Sequence, residues 1–553
     1  MRVGKLILTA ALAWACALSF AWPADLWDGA TVYARNRDRD DRSLDRELAR
    51  VLRDAGFTGR IESTLERRLG RRLDADLADL GRLLFFDPSH SLHQDNTCGG
   101  CHSPSNGFGD SQPIAIGVDN NGKVGPHRAG PRNQRRSPMV INNAFYPKLM
   151  WNGRFSAPSG DPFDNSGGFL FPSPEGIDAF PPGGELDRRG ITHLLQAQAH
   201  IPPTETVEVA GFNNFCDQEG DDSPFCQFDH AGQHGLGLPE PVEDPETGDF
   251  FRNDPIRRKS LRILNSIDEY RRLFGRSFRS VRRGGSIDFD MFGVAIAEFE
   301  MANMTFADAP IDQFARGDRD AMTTSQKRGA LLFFGEAKCV QCHKVSGASN
   351  EMFSDFENHV IGVPQIFPIF GWPTSNMIYD GPDSNQDFGL EQISGEAGDR
   401  YHFRTAPLRN VKLSPAFMHN GAFTQLDDAI RHHLNVWYSA LTYDPARAGV
   451  PADLHNVGPI FPVLARLDRK LHRPIHLTNR EFKDLVEFVS EGLYDAGASP
   501  ESLCQLLPDE LPSGVATLEF EKCEELTKRS KARHGHSPDK KDKKDKKDRR
   551  DRD

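Results

Sequence analysis

Two short motifs combine residue types that can attach a redox cofactor to the chain. Each has two cysteines separated by two residues and followed directly by a histidine, the spacing typical of c-type haem attachment. The cysteines can form thioethers to the haem vinyl groups, and the histidine can bind the iron as its proximal ligand. The residues are Cys98, Cys101 and His102 in the first motif, and Cys339, Cys342 and His343 in the second. Two copies in one chain predict two covalently bound haems.

The segments that precede the two motifs indicate an internal duplication. Residues 81–86 read Gly-Arg-Leu-Leu-Phe-Phe, and residues 329–334 read Gly-Ala-Leu-Leu-Phe-Phe. Each segment is predicted to end a helix whose apolar face packs on a haem. The predicted fold is therefore mainly α, with two cytochrome c-like helical domains, one covalently attached haem in each, and long irregular loops.

Changes in composition along the chain predict its domain order. Helical periodicity over Phe289 to Ala309 marks the predicted start of the second haem domain. Gly/Pro-rich segments predict surface loops, and a Lys-Lys-Asp repeat without apolar residues predicts a disordered tail. In chain order the parts are a signal peptide at 1–21, a flexible charged arm at 22–44, an N-terminal haem domain with loop insertions at 45–287, a C-terminal haem domain at 288–500, and an extension with the tail at 501–553.

The N-terminus and the cysteine count indicate export to the periplasm. A positive start, an apolar run to Phe20 and a small residue at Ala21 are typical of a cleaved signal peptide. Cys16 lies in this run, but Trp14 beside it is a poor context for a lipid anchor. Outside Cys16 and the haem motifs four cysteines remain, an even number that favours disulfides in an exported chain. Nearest-neighbour pairing predicts Cys216–Cys226 and Cys504–Cys523.

The charge balance limits the classes of partner. The chain has 553 residues and a formal net charge of −12, which argues against nucleic acid and permits a basic partner such as a small electron-donor protein. Ordinary solubility explains the same charge.

Further motifs occur in a fixed order around the haem motifs. They are Leu80–Asp87, Gly130–Asn133, Asn142–Phe145, Trp151–Arg154, Phe403–Asn410 and Phe417–Gly421. In this layout the chain resembles the bacterial di-haem cytochrome c peroxidase family, which includes MauG, over roughly Leu80 to Gly492. The resemblance implies that the N-terminal haem reacts with hydrogen peroxide and that the C-terminal haem receives or stores electrons.

The resemblance also implies roles for three residues near the haems. Trp151 falls where the family places a tryptophan between the haems, although the residue alone fits a packed core position. Gln198 and Glu208 have the spacing of the family's distal-pocket pair. A carboxylate there can move a proton between the peroxide oxygens, while Gln198 holds the peroxide or a water. Glu205 is a nearby alternative to Glu208.

The first departure from the family pattern concerns the N-terminal haem. In ordinary members a loop histidine caps the peroxidatic iron, and the equivalent position here is Val118. Since valine cannot bind iron, we expect an open haem that needs no reductive activation, as in MauG-like proteins. Three other histidines, His90, His93 and His127, stay open as alternative ligands.

The second departure concerns the distal ligand of the C-terminal haem. The family places it twelve residues after the last Gly of Phe-x-His-x-Gly, where ordinary members have Met and MauG has Tyr. Counting from Gly421 gives His433, with His432 and Met418 as alternatives. Ligation by two histidines, His343 and His433, should lower the haem potential relative to a Met ligand.

The resemblance finally implies a calcium ion between the haems. Ser414 and Ala416 match two positions that bind it through backbone carbonyls, which leave little trace in a sequence. The family's Asn ligand is not located, because extra residues follow Asn133. Homodimers occur in the family, but no interface is evident here.

Three functions are consistent with these residues. The first is reduction of hydrogen peroxide with electrons from a small periplasmic cytochrome or copper protein. The second is MauG-like use of peroxide to oxidise a protein or organic substrate. The third is a non-catalytic electron carrier, which would need neither Gln198 nor Glu208.

Overall fold

The computed structural model describes residues 42–91, 94–171, 180–210, 254–368 and 379–534. The predicted signal peptide, His93, the pair Cys216–Cys226 and most of the charged tail lie outside these residues. The chain divides into two units, Met1–Glu47, of which only the helical residues 42–47 are described, and Leu48–Asp553.

This unit is mostly helical, as predicted. Five helices pack around the candidate sites and are labelled α1 (Ala75–Phe86), α2 (Phe289–Asn303), α3 (Thr324–Phe334), α4 (Leu426–Leu434) and α5 (Asn479–Glu487). Residues 48–54 are also helical, and the other α-helices are Leu65–Leu69, Cys98–Cys101, Glu185–Arg189, Leu194–Gln198, Asp254–Ser266, Asp268–Ser277, Arg279–Arg282, Pro310–Ala315, Glu391–Ser394, Val436–Leu441, Phe461–Leu464, Pro500–Leu503 and Glu521–His534.

Strands are short and form two-stranded sheets. Lys123–Val124 pairs in parallel with Glu519–Phe520. The antiparallel pairs are Lys148–Leu149 with Phe155–Ser156, Asn358–His359 with Phe403–Arg404, and Ile366–Phe367 with Asn456–Val457. None of the described helices combines the length and apolarity that a membrane-spanning segment needs.

The first core forms where α1 and α2 cross. Asp74 caps α1 by accepting from the Leu77 N–H, which satisfies a backbone donor that the helix itself leaves unpaired. A Cβ added at Gly81 would lie 1.9 Å from the Ala295 carbonyl oxygen of α2, so glycine permits the close crossing. We predicted that Phe289 to Ala309 opens the second domain. In the structure α2 packs in the first core, because its Phe292 and Phe299 lie in one apolar cluster with the side chains of α1.

The second core repeats this arrangement with α3 and α5. At the start of α3 the Thr323 hydroxyl accepts from the Gln326 N–H, and the Gln326 side-chain oxygen accepts from the Thr323 N–H. These two bonds form a capping box. A Cβ at Gly329 would lie 1.9 Å from the Asp484 carbonyl oxygen of α5. The two glycines of the predicted duplication therefore occupy equivalent helix crossings.

The chain alternates between the two cores. Leu48, Leu52 and Phe57, which precede the first haem motif, pack in the second core. Phe520, from the C-terminal extension, packs in the first core. The extension is closed by the disulfide Cys504–Cys523, with Cα atoms 5.3 Å apart. The domain boundaries given above stay a prediction.

Candidate functional site

The first Cys-x-x-Cys-His motif forms one helical turn and the start of a loop. Thr97 caps the turn Cys98–Cys101 through its hydroxyl, which accepts from the Gly100 N–H at 3.2 Å. The His102 Nδ1–H donates to the Phe108 carbonyl at 3.0 Å, so Nε2 is the nitrogen left to bind a metal. Burial lowers the pKa of His102 and keeps the ring neutral, as an iron ligand must be.

A cavity of about 650 Å³ adjoins this motif. Its volume lies within the roughly 300–1,000 Å³ of typical ligand and cofactor sites. The cavity brings together every residue that we predicted for the N-terminal haem: Cys98, Cys101, His102, Trp151, Gln198 and Glu208. The two cysteines are free thiols, so the residues present fit a covalently attached haem.

The predicted distal residues reach the cavity from two consecutive turns. Gln198 ends the helix Leu194–Gln198, and Glu208 lies in the π-helical turn Thr206–Ala210. The backbone at Glu208 is tied to the haem motif, because the Asn96 side-chain amide donates to the Glu208 carbonyl at 2.6 Å. Glu205 also lines the cavity, but its carboxylate forms an ion pair with Arg154 at 3.3 Å. Because the Glu205 carboxylate is paired with Arg154, Glu205 is less available than Glu208 for proton transfer to a ligand in the cavity.

The position of the missing distal histidine is apolar and closed. Val118 is buried, and its N–H donates to the Val207 carbonyl at 3.3 Å. His127 points outward and pairs with Glu521 at 2.9 Å. His90 is buried edge-on against Phe292, with ring centroids 5.2 Å apart. Among the described residues that line the cavity, neither histidine is present.

Trp151 is held at the cavity wall by backbone hydrogen bonds on both sides. Its indole N–H donates to the Arg136 carbonyl at 2.8 Å. Its own carbonyl accepts from the Arg404 N–H at 2.7 Å. The ring is half-buried, so its orientation is set by these bonds together with packing.

The histidine of the second motif, His343, lies opposite His433 of α4, with an angle of 61° between the ring planes. The His343 Nδ1–H donates to the Phe353 carbonyl at 2.8 Å, which leaves Nε2 available as at His102. The rings of His343 and His433 have centroids 6.3 Å apart. Two imidazole–metal bonds of about 2 Å each, plus the ring radii, add up to a similar distance. These residues fit a haem iron bound between two histidines.

Hydrogen bonding distinguishes His433 from its neighbour. The His433 Nδ1–H donates to the Ala429 carbonyl at 2.8 Å, one turn earlier in α4. His432 uses both nitrogens, with Nδ1 at 3.0 Å from the Ser439 hydroxyl and Nε2 at 2.8 Å from the Ile361 carbonyl. Met418, the third alternative, packs on another apolar cluster around Phe423.

The first cavity also contains an acid that the sequence analysis missed. Glu300 of α2 is buried in the cavity wall and accepts from the Asn143 side-chain amide at 2.8 Å. Burial raises the pKa of Glu300 to about 7, and the Asn143 bond lowers it by less. The sequence signal that could have identified Glu300 is an acidic residue within the apolar helix pattern of Phe289–Asn303.

The residues implied for calcium do not form an open set of oxygen ligands. The Ser414 hydroxyl donates to the Ala416 carbonyl at 2.7 Å, and the Arg136 guanidinium donates to the same hydroxyl at 2.8 Å. A calcium ion needs six to eight oxygen ligands. The Ala416 carbonyl already accepts a hydrogen bond, and an arginine cation lies against the Ser414 side chain, so these residues do not fit calcium.

Comparisons with known proteins show similarity to di-haem peroxidases. The family model described as di-haem cytochrome c peroxidase matches residues 75–320. Cytochrome-c peroxidase IdrP1 of Pseudomonas sp. (strain SCT) is 25% identical over 370 residues, which is 64% of this chain and 71% of that protein. Methylamine utilization protein MauG of Methylophilus methylotrophus is 23% identical over 369 residues, covering 66% and 74%.

Two solved structures also match the chain, each with a TM-score below 0.5. A MauG-like protein associated with microbial copper homeostasis has a TM-score of 0.47 at 18% identity, covering 77% of this chain and 92% of that one. The diheme peroxidase BthA from Burkholderia thailandensis has a TM-score of 0.47 at 18% identity, covering 81% and 91%.

Proposed function

We propose that the chain is a member of the di-haem cytochrome c peroxidase family, whose model matches residues 75–320, and that it reduces hydrogen peroxide at the N-terminal haem in the periplasm. Electrons pass through the C-terminal haem of a second cytochrome c-like domain. The observation that carries the proposal is the single cavity that holds the first haem motif together with Gln198 and Glu208.

The chain's own residues supply binding and proton transfer. When bound through Cys98, Cys101 and His102, the haem supplies an iron that binds peroxide and exchanges electrons with it. Glu208 takes the proton from one peroxide oxygen and delivers it to the other, and Gln198 orients the peroxide by hydrogen bonding. Overall, one hydrogen peroxide, two electrons and two protons give two waters.

A second candidate function is MauG-like oxidation of a protein or organic substrate by peroxide. Two observations favour it. Val118 stands at the position of the capping histidine, so this residue would leave the N-terminal haem uncapped in the oxidised protein. His433 faces His343 where ordinary members have Met, and a second histidine lowers the haem potential. A low potential favours loss of an electron from the C-terminal haem.

Electrons would enter through a surface next to the second motif. The helices Val436–Leu441 and Phe461–Leu464 pack through a small apolar cluster, and both present exposed apolar side chains. Phe461 is 71% exposed and Tyr438 is 68% exposed. Exposed apolar groups beside a redox centre are typical of protein docking sites. We name the helices and the following segment 465–480 the entry face.

The charge of the entry face narrows the kind of partner. Residues 465–480 contain five Lys or Arg residues and one Asp, although the whole chain is acidic. The Lys470 ammonium lies 3.5 Å from the sulfur of Cys342, a haem attachment residue. A small redox protein with an acidic surface would therefore be attracted to this face.

Peroxide added to the fully oxidised protein tests the proposal. We expect fast loss of a high-spin ferric EPR signal, because valine occupies the position of the family's capping histidine. Glu208→Gln should slow this reaction by roughly 100-fold or more with both haem spectra intact, since a positioned acid–base group contributes about 10²–10⁴-fold.

The matched control is Glu205→Gln, whose carboxylate is paired with Arg154 and should matter less. An unchanged rate in Glu208→Gln would remove Glu208 from catalysis. Reaction only after one-electron reduction would indicate a capped haem, and no reaction in either state would leave the electron carrier as the function.

A further inference from the structure

A buried arginine lies at the place where the family resemblance implies calcium. Arg136 is 4% exposed, and its guanidinium donates to the Ser414 hydroxyl at 2.8 Å and to the Asp110 carbonyl at 3.3 Å. Its backbone N–H donates to the His419 carbonyl at 2.9 Å. Arg136 thus joins the loop after the first haem motif to the segment after the second.

Two oxygens of this place, the Ser414 hydroxyl and the Ala416 carbonyl, already accept hydrogen bonds within the chain. The Ser414 hydroxyl donates to the carbonyl of Ala416, one of the two residues whose carbonyls the family uses. A guanidinium has only hydrogen-bond donors. It therefore donates to lone pairs of oxygen atoms that a metal ion would otherwise use as ligands. The family's asparagine would add a further acceptor, whereas Arg136 adds a cation.

One carboxylate balances the charge of the arginine. Asp110 is buried beside Arg136 and accepts from the N–H groups of Gln112 at 2.9 Å and Ser137 at 3.0 Å. Burial lowers the pKa of Arg136 to about 10, while Asp110 acts in the opposite direction. The guanidinium therefore stays charged near neutral pH. A divalent cation at the same place would meet one buried positive charge and one carboxylate, which is unfavourable in a desolvated setting.

We propose that the Arg136 guanidinium replaces the calcium ion of the family in this chain. Arg136 is then a positioning residue for Trp151, because its carbonyl accepts the indole N–H at 2.8 Å. The side chain fixes the backbone through Ser414, and the backbone fixes the ring at the wall of the haem cavity. The protein would hold this ring without any bound metal ion other than its haem irons.

The test uses the purified protein with both haems and does not need peroxide. Calcium is measured by elemental analysis after dialysis with and without the chelator EGTA, and EPR and absorption spectra are recorded on both samples. We expect no stoichiometric calcium and identical spectra. About one calcium per chain that leaves with EGTA and changes the spectra would overturn the proposal.

Variants separate replacement of calcium from a general packing role. Arg136→Asn should change the EPR spectrum in EGTA, and added calcium should restore the original spectrum. Arg136→Lys should keep the original spectrum in EGTA. In the matched control Arg135→Asn, a neighbouring half-buried arginine paired with Asp387 at 2.6 Å is removed, and calcium should restore nothing.

Two results for the variants would contradict the proposal. One is an unchanged spectrum of Arg136→Asn without calcium, because the place would then need no cation. The other is equal rescue of Arg135→Asn by calcium. If Arg136→Asn does not fold, the calcium content of the unaltered protein and the spectrum of Arg136→Lys still decide. Failure of the peroxide chemistry would leave all of these readouts unaffected.

Discussion

One hydrogen-bonding pattern marks the candidate iron ligands at the scale of single residues. His102, His343 and His433 each donate Nδ1–H to a backbone carbonyl, which fixes the tautomer and leaves Nε2 for the metal. His432 is also buried, but both of its nitrogens have partners within the protein. Burial alone therefore does not identify a ligand, whereas the state of the second nitrogen does.

Replacing each of the adjacent histidines tests this argument. His433→Ala should convert the C-terminal haem from low spin to high spin, because one axial ligand is lost. His432→Ala should cost stability through the lost bonds to Ser439 and Ile361 but keep the low-spin signal. EPR of the oxidised variants is the measurement. The opposite pattern would mean that the ligand is one residue earlier than we propose.

Glu300 should make stability depend on pH in a defined window. Its pKa is about 7 in the folded protein and close to its ordinary value of 4.5 when unfolded. The folded state binds the proton more tightly, so stability is highest below about pH 4.5 and falls as the pH rises to about 7. The expected contribution is about 3 kcal/mol, since one pKa unit corresponds to roughly 1.4 kcal/mol.

Urea unfolding at pH 5 and pH 8 measures this effect. Glu300→Gln should reduce the stability difference between the two pH values, because an amide does not titrate. Glu491→Gln is the control, since that carboxylate is partly exposed and paired with Lys412. Equal pH dependence in Glu300→Gln and the unaltered protein would show that the acid is not buried as described.

At the scale of elements, the duplication consists of two equivalent helix crossings, each with a glycine at the point of closest approach. Phe85 lies against Phe299 and His102 in the first core, with centroid distances of 5.3 and 6.5 Å. Phe333 lies against Phe488 and His343 in the second, at 5.4 and 6.3 Å. Equivalent helix pairs, α1 with α2 and α3 with α5, therefore orient the two proximal histidines through equivalent aromatic contacts.

Alanine at either crossing should disturb one haem at a time. In Gly81→Ala or Gly329→Ala the new methyl group would meet backbone at 1.9 Å, and overpacking typically costs about 1–3 kcal/mol. We expect lower thermal stability and a changed spectrum of the haem in the affected core. Gly398→Ala is the control, because no atom lies within 4 Å of its added Cβ. A similar loss in all three would not fit this packing argument.

The sequence predicted the local parts of this architecture and missed the long-range ones. The Cys-x-x-Cys-His spacing and the Gly-x-Leu-Leu-Phe-Phe repeats are encoded within a few residues, so they could be read directly. The partner of α1 could not, because α2 lies about 200 residues later and its apolar pattern fits either core. Glu300 and Arg136 were missed for the same reason, since their burial depends on distant segments.

At the scale of the whole molecule, net charge and local charge differ. The formal net charge of −12 permits a basic partner, but the charged residues of the entry face beside Cys342 are mainly Lys and Arg. Docking depends on the field at the contact surface, and charges more than about 10 Å away are largely screened at 0.1 M salt. The local surface therefore predicts an acidic partner.

Electron transfer from an acidic small redox protein should therefore slow as salt is added. The double variant Lys470→Glu and Arg473→Glu should lower the second-order rate further, because it reverses charge on the entry face. Among mutants of one interface such rates vary over roughly one to three decades. The measurement is stopped-flow reduction of the C-terminal haem at several salt concentrations, with Lys528→Glu, a charge reversal in the C-terminal helix, as the control. If Lys528→Glu slows reduction as much as the double variant does, overall charge governs the encounter, and the entry face is not the docking surface.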